Sequence, residues 1–383
     1  MDEKLAFPVK KVVLKKEANK SIWIPKKDIK EIPKSIKPGD FIKIFSSKGT
    51  FLGTGYINPL SKITIRILSF DDVQITKGLI KEKIYKAFQF RKELQNFTDS
   101  IRIVHSEGDF LPGLIIDKYK DIFVIQISTA GMENLRHFII SSIIEIFNPK
   151  AIYEKSDEKI RAIEGLTTEN GLLYGEDVKT EIINEYNAKF HVNFLKGQKT
   201  GFFLDQRKNR KIVSEFAKNK RILDLFSNTG GFGIHCYLNG AEKVKFVEIS
   251  KEVIENLKLN LSLNNVENYE ILKADVFEYI KEENEKYDLI IIDPPAFTKK
   301  RDEKKDAIKG YIFLISQALK ILNDSGYIAI FSCAHHIGLF DLFKIISNFK
   351  VKICTVLMQD IDHPFISFIP NSFYLKGLLL QKI

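Results

Sequence analysis

A cysteine stands in the sequence FSCA at residues 331–334, directly after an apolar run. Carbon 5 of a pyrimidine is a poor nucleophile, and a thiolate that adds to carbon 6 activates it. Because a free cysteine is only a few per cent thiolate at pH 7, such a site must lower the thiol pKa or assist the proton transfer. Cys333 is therefore a candidate nucleophile. The alternative is a small buried side chain without chemistry, which is how we interpret Cys236 and Cys354.

The sequence DPPAF at residues 293–297 also follows an apolar run. Its prolines, Pro294 and Pro295, predict a rigid loop with few backbone donors. Asp293 is an acceptor that can hold an amine or a ring nitrogen, which is typical of methyltransferases that act on planar nitrogenous rings and not of dehydrogenases. Phe297 is a candidate for stacking on a base, and a buried hydrophobic position is the alternative.

A glycine-rich turn with the spacing GGxG, at residues 230–233, follows Asp224. S-adenosylmethionine is positively charged at its sulfonium and ammonium groups, so a carboxylate beside the turn suits it better than it suits a pyrophosphate. Glu248 ends the next predicted strand, where it can accept both ribose hydroxyls of this cofactor or of NAD. Asp275 and Val276 are placed to meet the adenine. This set predicts a nucleotide-cofactor site, and a purely structural turn is the alternative.

No metal site is predicted. The three cysteines lack CxxC spacing, and His335 and His336 are adjacent, which is a poor spacing for joint metal binding. The cysteine count argues against a disulfide framework and favours a reducing, cytoplasmic location. The chain starts MDEK, and no apolar run approaches the ~18 residues that span a membrane, so we expect neither a secretory signal nor a membrane partner.

The positive charge of the chain is concentrated near its amino terminus. The 383 residues are 44% hydrophobic and 28% charged, which is typical of a globular protein with two or three domains, and the net charge is +10. Residues 1–50 hold 13 basic and 6 acidic side chains and residues 51–100 hold 8 and 5, so the first hundred residues carry the whole excess. This asymmetry predicts an anionic partner such as nucleic acid on an N-terminal module. A solvated lysine-rich face is the alternative.

The elements that position these residues fall into three predicted domains, over residues 1–72, 73–190 and 191–383. Short alternating runs in the first predict a small β-barrel with the strands Val9–Leu14, Ser21–Ile24, Asp40–Phe45, Phe51–Ile57 and Ile63–Leu68. A linker helix, Lys77–Asn96, leads to a central α+β domain. Its predicted strands and helix are Ile101–Val104, Leu114–Ile116, Ile122–Ile127, Glu133–Phe147 (the helix) and Ala151–Glu154.

In the third region, apolar strands alternate with helical patterns, which predicts a doubly wound, mostly parallel sheet of seven strands. The predicted strands are Arg221–Phe226, Val244–Ile249, Tyr269–Leu272, Tyr287–Asp293, Tyr327–Phe331, Lys352–Leu357 and Phe373–Leu380. The predicted helices are Gly233–Leu238, Lys251–Leu263, Val276–Glu282, Ala307–Leu322 and Gly338–Asn348. The candidate residues therefore follow strand ends, where such sheets bind nucleotides.

Taken together, the motifs resemble the bacterial large-subunit ribosomal RNA cytosine-5 methyltransferases of the RlmI type. That family has an N-terminal PUA domain, a central domain and a Rossmann-like class I methyltransferase domain. The segments that carry the resemblance are Glu107–Leu114, Lys199–Arg210, Asp224–Gly233, Asp293–Phe297, Ser332–Cys333, Asp362–Pro364 and Tyr374–Gly377. They span roughly residues 100–380, and Lys199–Arg210 is the segment most specific to the family.

The resemblance implies that S-adenosylmethionine is the cofactor, that Cys333 is the nucleophile and that Asp293 orients the base. It further implies that large-subunit ribosomal RNA is the partner, bound partly by the basic N-terminal domain, and it leaves a homodimer open. The residues expected to bind the cofactor are Thr200, Phe203, Asp224, Phe226, Asn228, Thr229, Gly230, Glu248, Asp275, Val276 and Asp293. The residues expected to bind substrate are Pro294, Pro295, Phe297 and Arg207.

One departure concerns the base that removes the C5 proton. Many related RNA enzymes carry a second cysteine three residues after the aspartate of the fourth strand, and this chain has Ala296 there. His335, His336 and water are the alternatives for that role.

Two other functions fit the same residues. One is methylation of an exocyclic amine or a guanine nitrogen through Asp293, Pro294 and Pro295, with Cys333 as a bystander. The other is a non-catalytic RNA-binding assembly factor on a degenerate methyltransferase fold. The intact acidic series argues against the second, because a dead site need not keep Asp224, Glu248, Asp275 and Asp293.

Overall fold

The computed structural model describes residues 7–15, 21–297 and 304–383. The chain forms two compact units, each assembled from several segments. Unit 1 comprises Met1–Glu181, Val192–Phe202 and Ile361–Ser372, and unit 2 comprises Ile182–His191, Phe203–Asp360 and Phe373–Ile383.

Unit 1 begins with a six-stranded sheet. Its strands are β1 (Val9–Leu14), β2 (Trp23–Ile24), β3 (Ile29–Glu31), β4 (Asp40–Phe45), β5 (Phe51–Ile57) and β6 (Ile65–Ser69), in the order β2-β6-β5-β4-β1-β3. Only the pairing of β1 with β4 is parallel among the described pairs. Alternate residues such as Val12, Ile42 and Ile44 are buried in one hydrophobic cluster, as the two-residue period predicts.

A second sheet follows in the same unit. The helix α1 (Lys77–Arg91), capped by the Thr76 hydroxyl, leads to the strands β7 (Ser100–His105), β8 (Leu114–Tyr119), β9 (Ile122–Ile127), β10 (Ala151–Glu154) and β11 (Gly171–Gly175). Their order is β11-β10-β9-β8-β7, and the helices α2 (Ala130–Asn134), α3 (Arg136–Phe147) and α4 (Glu158–Ile163) lie among them in sequence. The fully buried Tyr56 of β5 donates its hydroxyl to the carbonyl of Pro112 at 2.6 Å, so the two sheets of unit 1 share a core.

One buried ion pair and the hydrogen bonds around it hold two later segments of the chain inside unit 1. The Arg102 guanidinium makes a bidentate pair with Asp117 at 2.7 Å for each bond, and Thr200 donates its hydroxyl to the same carboxylate at 2.5 Å. Asp362 accepts the Arg102 backbone N–H at 3.0 Å. The segments 192–202 and 361–372, including the Asp362–Pro364 motif, are therefore tied to the central sheet by charge-assisted hydrogen bonds.

Unit 2 contains the predicted doubly wound sheet. A ribbon of β12 (Thr180–Glu185) and β13 (Ala188–Asn193) precedes it. The strands of the sheet are β14 (Arg221–Leu225), β15 (Lys243–Glu248), β16 (Tyr269–Lys273), β17 (Tyr287–Ile292), β18 (Leu322–Ser332), β19 (Val351–Met358) and β20 (Lys376–Lys382). The helices are α5 (Arg207–Ser214), α6 (Gly231–Leu238), α7 (Lys251–Leu263), α8 (Val276–Glu282), α9 (Lys304–Ile321) and α10 (Leu339–Ile346).

The strand order of this sheet is β16-β15-β14-β17-β18-β20-β19. The first five of these strands are parallel, whereas β20 runs antiparallel to both β18 and β19. The chain order reverses between β14 and β17, which creates the crevice at the carboxyl ends of the strands where open α/β sheets bind ligands. The predicted α/β fold class is confirmed.

Most element boundaries lie within three residues of the prediction, and several strands and helices were missed. The prediction is exact for β1, β4, β5, β9, β10, α7 and α8. The sequence did not predict β3, β11, β12, β13, α4 or α5. The strands β3, β11 and β12 and the helix α4 are short or largely exposed, whereas β13 buries alternate residues (Ala188, Phe190 and Val192), a strand pattern that was missed. The three-domain division stays a prediction. Within the described ranges, no helix combines the length and apolar character that crossing a membrane requires.

Candidate active site

The loop after β14 is built from residues in the left-handed region. Phe226, Asn228 and Gly230 have φ values of 58°, 48° and 86°. A turn of this kind reverses the chain tightly between the strand and α6, and only glycine adopts such a conformation without steric cost. The Ser227 N–H donates to the Val247 carbonyl at 3.1 Å, which holds the loop beside the end of β15.

Gly233 brings α6 close to the sheet. A Cβ atom at this position would lie 2.2 Å from Cε1 of Phe246, so no larger residue fits without moving the helix. The Gly233 N–H donates to Oδ2 of Asp224 at 2.9 Å. The glycines of the GGxG segment therefore serve the turn and the helix packing, and Asp224 holds the first turn of α6 in place.

Three carboxylates lie near one another at this edge of the sheet. Asp224 is buried, and burial raises its pKa to about 8, with further contributions from the negative charges of Asp293 and Glu248. Repulsion between neighbouring carboxylates costs free energy that a bound cation offsets. The acidic site therefore fits a positively charged ligand such as S-adenosylmethionine and does not fit a pyrophosphate.

We expect Asp224→Asn to stabilise the ligand-free protein in a pH-dependent manner. The pKa of Asp224 is about 8 in the fold against an ordinary value near 4, so between these values the folded state holds a proton that the unfolded chain has lost. Native stability therefore falls as pH rises through this window, and the asparagine variant escapes that loss. The gain in melting temperature should grow from pH 5 to pH 8 and level off above.

The control for this experiment is Asp275→Asn, because Asp275 also follows a strand of the sheet but is exposed to water. Its difference from the unsubstituted protein should be flat with pH. A pH-independent gain for Asp224→Asn would contradict the buried-charge explanation.

Glu248 is oriented by backbone donors at the end of β15. Its Oε1 accepts the N–H groups of Ile249 and Ser250 at 2.9 Å each, and its Oε2 accepts the Asn228 N–H at 3.1 Å. These bonds fix the carboxylate and link it to the loop after β14. A carboxylate held in this way can still accept hydroxyl groups, because each oxygen has two lone pairs.

The residues expected at the adenine follow β16. Asp275 caps α8, because its Oδ1 accepts the N–H groups of Phe277 and Glu278 at 2.8 and 3.2 Å. Val276 is buried in the core beneath. Phe226 packs edge-on against Phe277, with ring centroids 6.2 Å apart. An apolar wall thus lies next to the acidic loops, which suits a flat ring beside a hydroxyl-rich sugar.

Asp293, after β17, is held by a short hydrogen-bonded relay. Gln206 donates from Nε2 to Oδ2 of Asp293 at 2.9 Å, and Asn209 donates from Nδ2 to Oε1 of Gln206 at 2.6 Å. Gln206 and Asn209 are 3% and 1% exposed. The relay fixes the carboxylate of Asp293 at the edge of the sheet, and it lies inside the segment 199–210 that the sequence marks as unusual.

The loop after Asp293 separates into a buried and an exposed part. Pro294 is buried, whereas Pro295 is exposed. Phe297 packs against the rings of Phe277 and Tyr311, with centroids 5.6 and 4.9 Å away. This packing accounts for a half-buried phenylalanine without a ligand, and stacking of Phe297 on a base stays a prediction.

Cys333 follows β18, the neighbour of β17, and is half-buried. Burial raises the pKa of Tyr311, which is fully buried. The negative charges of the nearby Cys333 and Asp293 raise this pKa further. Tyr311 is therefore neutral near pH 7 and keeps its proton. Lys376, at the start of β20, lies close enough to Cys333 for the two to interact electrostatically. Neither Tyr311 nor Lys376 was singled out individually in the sequence.

Three further predicted residues have local roles. Arg207 is fully buried and paired with Oδ2 of Asp360 through Nε at 2.9 Å and Nη2 at 2.8 Å, so it anchors its segment, and its contact with substrate stays a prediction. Thr200 belongs to unit 1, unlike the other predicted cofactor residues. The Phe203 carbonyl accepts a hydrogen bond from Arg210 at 3.0 Å. In the described part of the chain, no cluster of ligating side chains could hold a metal ion.

The chain matches two protein families. Residues 9–70 match the PUA-like domain family, and residues 167–313 match the S-adenosylmethionine-dependent methyltransferase family. The second match covers the loop after β14, Glu248, Asp275 and the loop after Asp293. It shows that the cofactor is S-adenosylmethionine, and the binding of this cofactor by the acidic edge of the sheet stays a prediction.

Relatives align along nearly the whole chain. Ribosomal RNA large subunit methyltransferase I from Tolumonas auensis is 35% identical and the alignment covers 97% of this chain and 99% of the relative. The protein of the same name from Aliivibrio fischeri is 34% identical, with 94% and 95% covered. A candidate methyltransferase from Streptococcus mutans has the same fold, with a TM-score of 0.83, 23% identity and 97% and 100% of the two chains covered.

Another solved structure of this fold, of the candidate methyltransferase SMU.776 in complex with SAH, has a TM-score of 0.82 and 23% identity over 97% of this chain and 99% of that chain. The acidic strand ends, the glycine turn and the full-length relatives agree in one assignment. The chain belongs to the ribosomal RNA large subunit methyltransferase I family and is an S-adenosylmethionine-dependent methyltransferase with a PUA-like domain.

Proposed function

We propose that this protein methylates carbon 5 of a cytidine in large-subunit ribosomal RNA, through a transient bond between Cys333 Sγ and carbon 6 of the base. The observation that carries the proposal is the position of Cys333 beside Asp293. The two residues follow the adjacent parallel strands β18 and β17 at the edge of the sheet that holds the cofactor carboxylates. A nucleophile and a base-orienting carboxylate at this place are what carbon 5 methylation requires.

The proposed reaction balances without an oxidant or a metal. The thiolate of Cys333 forms a bond to carbon 6, and the electron pair of the C5–C6 double bond moves to carbon 5. The electron pair on carbon 5 takes up the methyl group of S-adenosylmethionine, the bond between the methyl carbon and the sulfonium sulfur breaks, and S-adenosylhomocysteine leaves. A base then removes the C5 proton, the electron pair returns to the C5–C6 bond, and the S–C6 bond breaks to release the thiolate.

Asp293 has the role of orienting the cytosine and stabilising a proton on its N3. The relay from Asn209 through Gln206 keeps the carboxylate in one position, which lowers the cost of ordering it when the base arrives. A proton on N3 withdraws electrons from the ring, and carbon 6 then accepts the thiolate more readily.

Two histidines next to Cys333 are candidates for the base that removes the C5 proton. Burial, then the positive charges of Lys376 and His336, lower the pKa of His335, so His335 is neutral near pH 7 and can accept a proton. His336 is half-buried in the same loop. Water is the third candidate, and Ala296 contributes no group for this step.

The product identifies the reaction. An unmodified transcript of large-subunit ribosomal RNA is incubated with the protein and methyl-deuterated S-adenosylmethionine, and the digested nucleosides are separated by mass spectrometry. We expect deuterated 5-methylcytidine. A label on a guanine nitrogen or an exocyclic amine would contradict the carbon 5 assignment and favour the function in which Cys333 is a bystander. A site missing from ribosomal RNA of cells that lack the protein would then locate the nucleotide.

The lysines of the PUA-like domain are proposed to hold the RNA by its phosphates. Lys26, Lys27, Lys30, Lys34 and Lys37 are all exposed. Phosphate contacts of this kind release counterions and make the affinity fall with salt. The partner implied by the family, large-subunit ribosomal RNA, has the negative charge that this surface requires.

We expect Lys26→Ala, Lys27→Ala and Lys30→Ala together to weaken RNA binding and to flatten its salt dependence. Each phosphate contact that is lost lowers the slope of log K against log salt by about 0.9 for a duplex and about 0.7 for a single strand. Filter binding over 50–300 mM potassium chloride measures the slope. The control removes the same charge from the exposed Lys218, Lys258 and Lys352 of unit 2, and an equal loss of slope there would mean that net charge alone governs binding.

A further inference from the structure

We infer that Lys376 activates Cys333: its ammonium group, held between two backbone carbonyls beside the cysteine, stabilises the thiolate from which the proposed methyl transfer starts. This inference rests on the proposed function in assigning chemistry to Cys333, but the thiol can be measured without any RNA.

Lys376 begins β20, and its backbone pairs with Ser332, the residue before Cys333. Its side chain is 2% exposed, which is rare for a lysine and requires hydrogen bonds for the charged end. Nζ donates to the carbonyl of Ala334 at 3.0 Å and to that of Tyr374 at 2.8 Å. Because Ala334 follows Cys333 directly, one of the two anchors of the ammonium is the peptide carbonyl next to the cysteine.

The anchor of Lys376 is itself held firmly. Tyr374 donates its hydroxyl to Oδ2 of Asp205 at 2.6 Å, and its N–H donates to Oε1 of Gln359 at 2.9 Å. Asp205 precedes Gln206, which holds Asp293. Gln206 therefore fixes the carboxylate of Asp293. Its neighbour Asp205 fixes Tyr374, whose carbonyl accepts a hydrogen bond from the Lys376 ammonium.

An ammonium has three N–H donors, and the two carbonyls use two of them. Burial lowers the pKa of Lys376 to about 8, although the negative charges of the Cys333 thiolate and Asp341 act in the opposite direction. Lys376 is therefore mostly protonated at pH 7. The interaction is mutual, because a cation that is stabilised by a thiolate stabilises that thiolate by the same free energy.

Other charged groups near Lys376 are few in the described structure. Asp341 of α10 interacts with it and is paired with Lys304 at 2.8 Å, so the carboxylate already has a counter-ion. His335 interacts with it from the loop after β18, and His336 interacts with His335. The neutral Tyr311 interacts electrostatically with both Cys333 and Asp293.

The test is the pH dependence of alkylation of Cys333 by iodoacetamide, followed by peptide mass spectrometry so that each thiol is read separately. We expect Lys376→Met to raise the midpoint for Cys333 by about one to two pH units, the usual effect of removing a neighbouring opposite charge. Lys376→Arg keeps the charge and should keep the midpoint. The exposed Cys354 in the same samples is the internal reference.

A matched control is Lys382→Met, on the same strand. Lys382 Nζ also donates to a carbonyl, that of Leu322 at 2.8 Å, but Lys382 ends β20 whereas Lys376 begins it. The control should leave the Cys333 midpoint unchanged. An equal midpoint in Lys376→Met and in the unsubstituted protein would overturn the inference and leave Lys376 as a brace between strands. Should Lys376→Met fail to fold, a Cys333 midpoint in the native protein at or above the ordinary thiol value of about 8.5 is sufficient to overturn it.

The outcomes separate this inference from the proposed function. Formation of 5-methylcytidine together with an unchanged Cys333 midpoint refutes the role of Lys376 only. A lowered thiol pKa in a protein that methylates a nitrogen refutes the reaction only.

Discussion

Cys333→Ala should abolish methyl transfer to RNA and leave the binding of S-adenosylmethionine intact. Removing a nucleophile that forms a covalent intermediate lowers the rate by about 10⁴-fold or more, because the alternative path requires attack by an unactivated carbon 5. The carboxylates at the cofactor edge follow other strands, so their geometry does not depend on the thiol. Label transfer to RNA measures the first effect and calorimetric titration with S-adenosylmethionine measures the second.

The matched control is Cys354→Ala, which removes an exposed thiol from β19 in the same sheet. It should retain full activity. Activity retained in Cys333→Ala would refute the covalent mechanism and favour nitrogen methylation.

A trapped adduct tests the same step without relying on the rate. In RNA that carries 5-fluorocytidine, a fluorine replaces the hydrogen on carbon 5. The catalytic base then has no C5 proton to remove, so the elimination stops and the S–C6 bond persists. The unsubstituted protein should form a complex with this RNA that survives denaturation. The Cys333→Ala variant should form none.

Much of the fold was predictable because periodicity encodes it. The strands and helices of unit 2 follow continuous apolar runs separated by amphipathic ones, and these give the order of elements and place Asp224, Glu248, Asp293 and Cys333 at strand ends. What periodicity does not encode is which distant segments meet. The segments 192–202 and 361–372 are bound to the rest of unit 1 through Asp117 and Asp362, and no local sequence pattern predicts those contacts.

The sequence predicted the types of the residues at the candidate site better than it predicted the contacts of their side chains. The resemblance implied that Arg207 binds substrate, and the structure shows that this fully buried arginine pairs with Asp360, 153 positions along the chain. Its neighbour Gln206, a residue without charge, contacts Asp293 instead. The composition of the segment 199–210 indicated that it is functionally important. Which of its residues contact the site and which anchor the fold depends on the direction of each side chain, and composition does not predict that direction.

Asp293→Asn should lower the turnover number by about 10²- to 10⁴-fold at saturating S-adenosylmethionine and RNA. Asparagine has the same shape and can still meet Gln206, but it cannot balance a proton on N3 of the cytosine. The predictions assign Asp293 both to the cofactor and to the base, and the two roles affect different constants. Loss of the cofactor role raises the KM for S-adenosylmethionine, whereas loss of the base-orienting role lowers kcat.

Gln206→Met tests the orientation of Asp293 separately from its charge, because it leaves the carboxylate in place and removes only the donor that orients it. We expect a fall in kcat of about ten-fold, the usual cost of losing a supporting hydrogen bond at a site. The control is Asp324→Asn, whose side chain is fully exposed and which should change neither constant. Steady-state kinetics with both substrates varied gives kcat and KM for each variant. If Asp293→Asn raised only the KM for S-adenosylmethionine, Asp293 would be a cofactor residue, and N3 of the cytosine would have to be stabilised by another group.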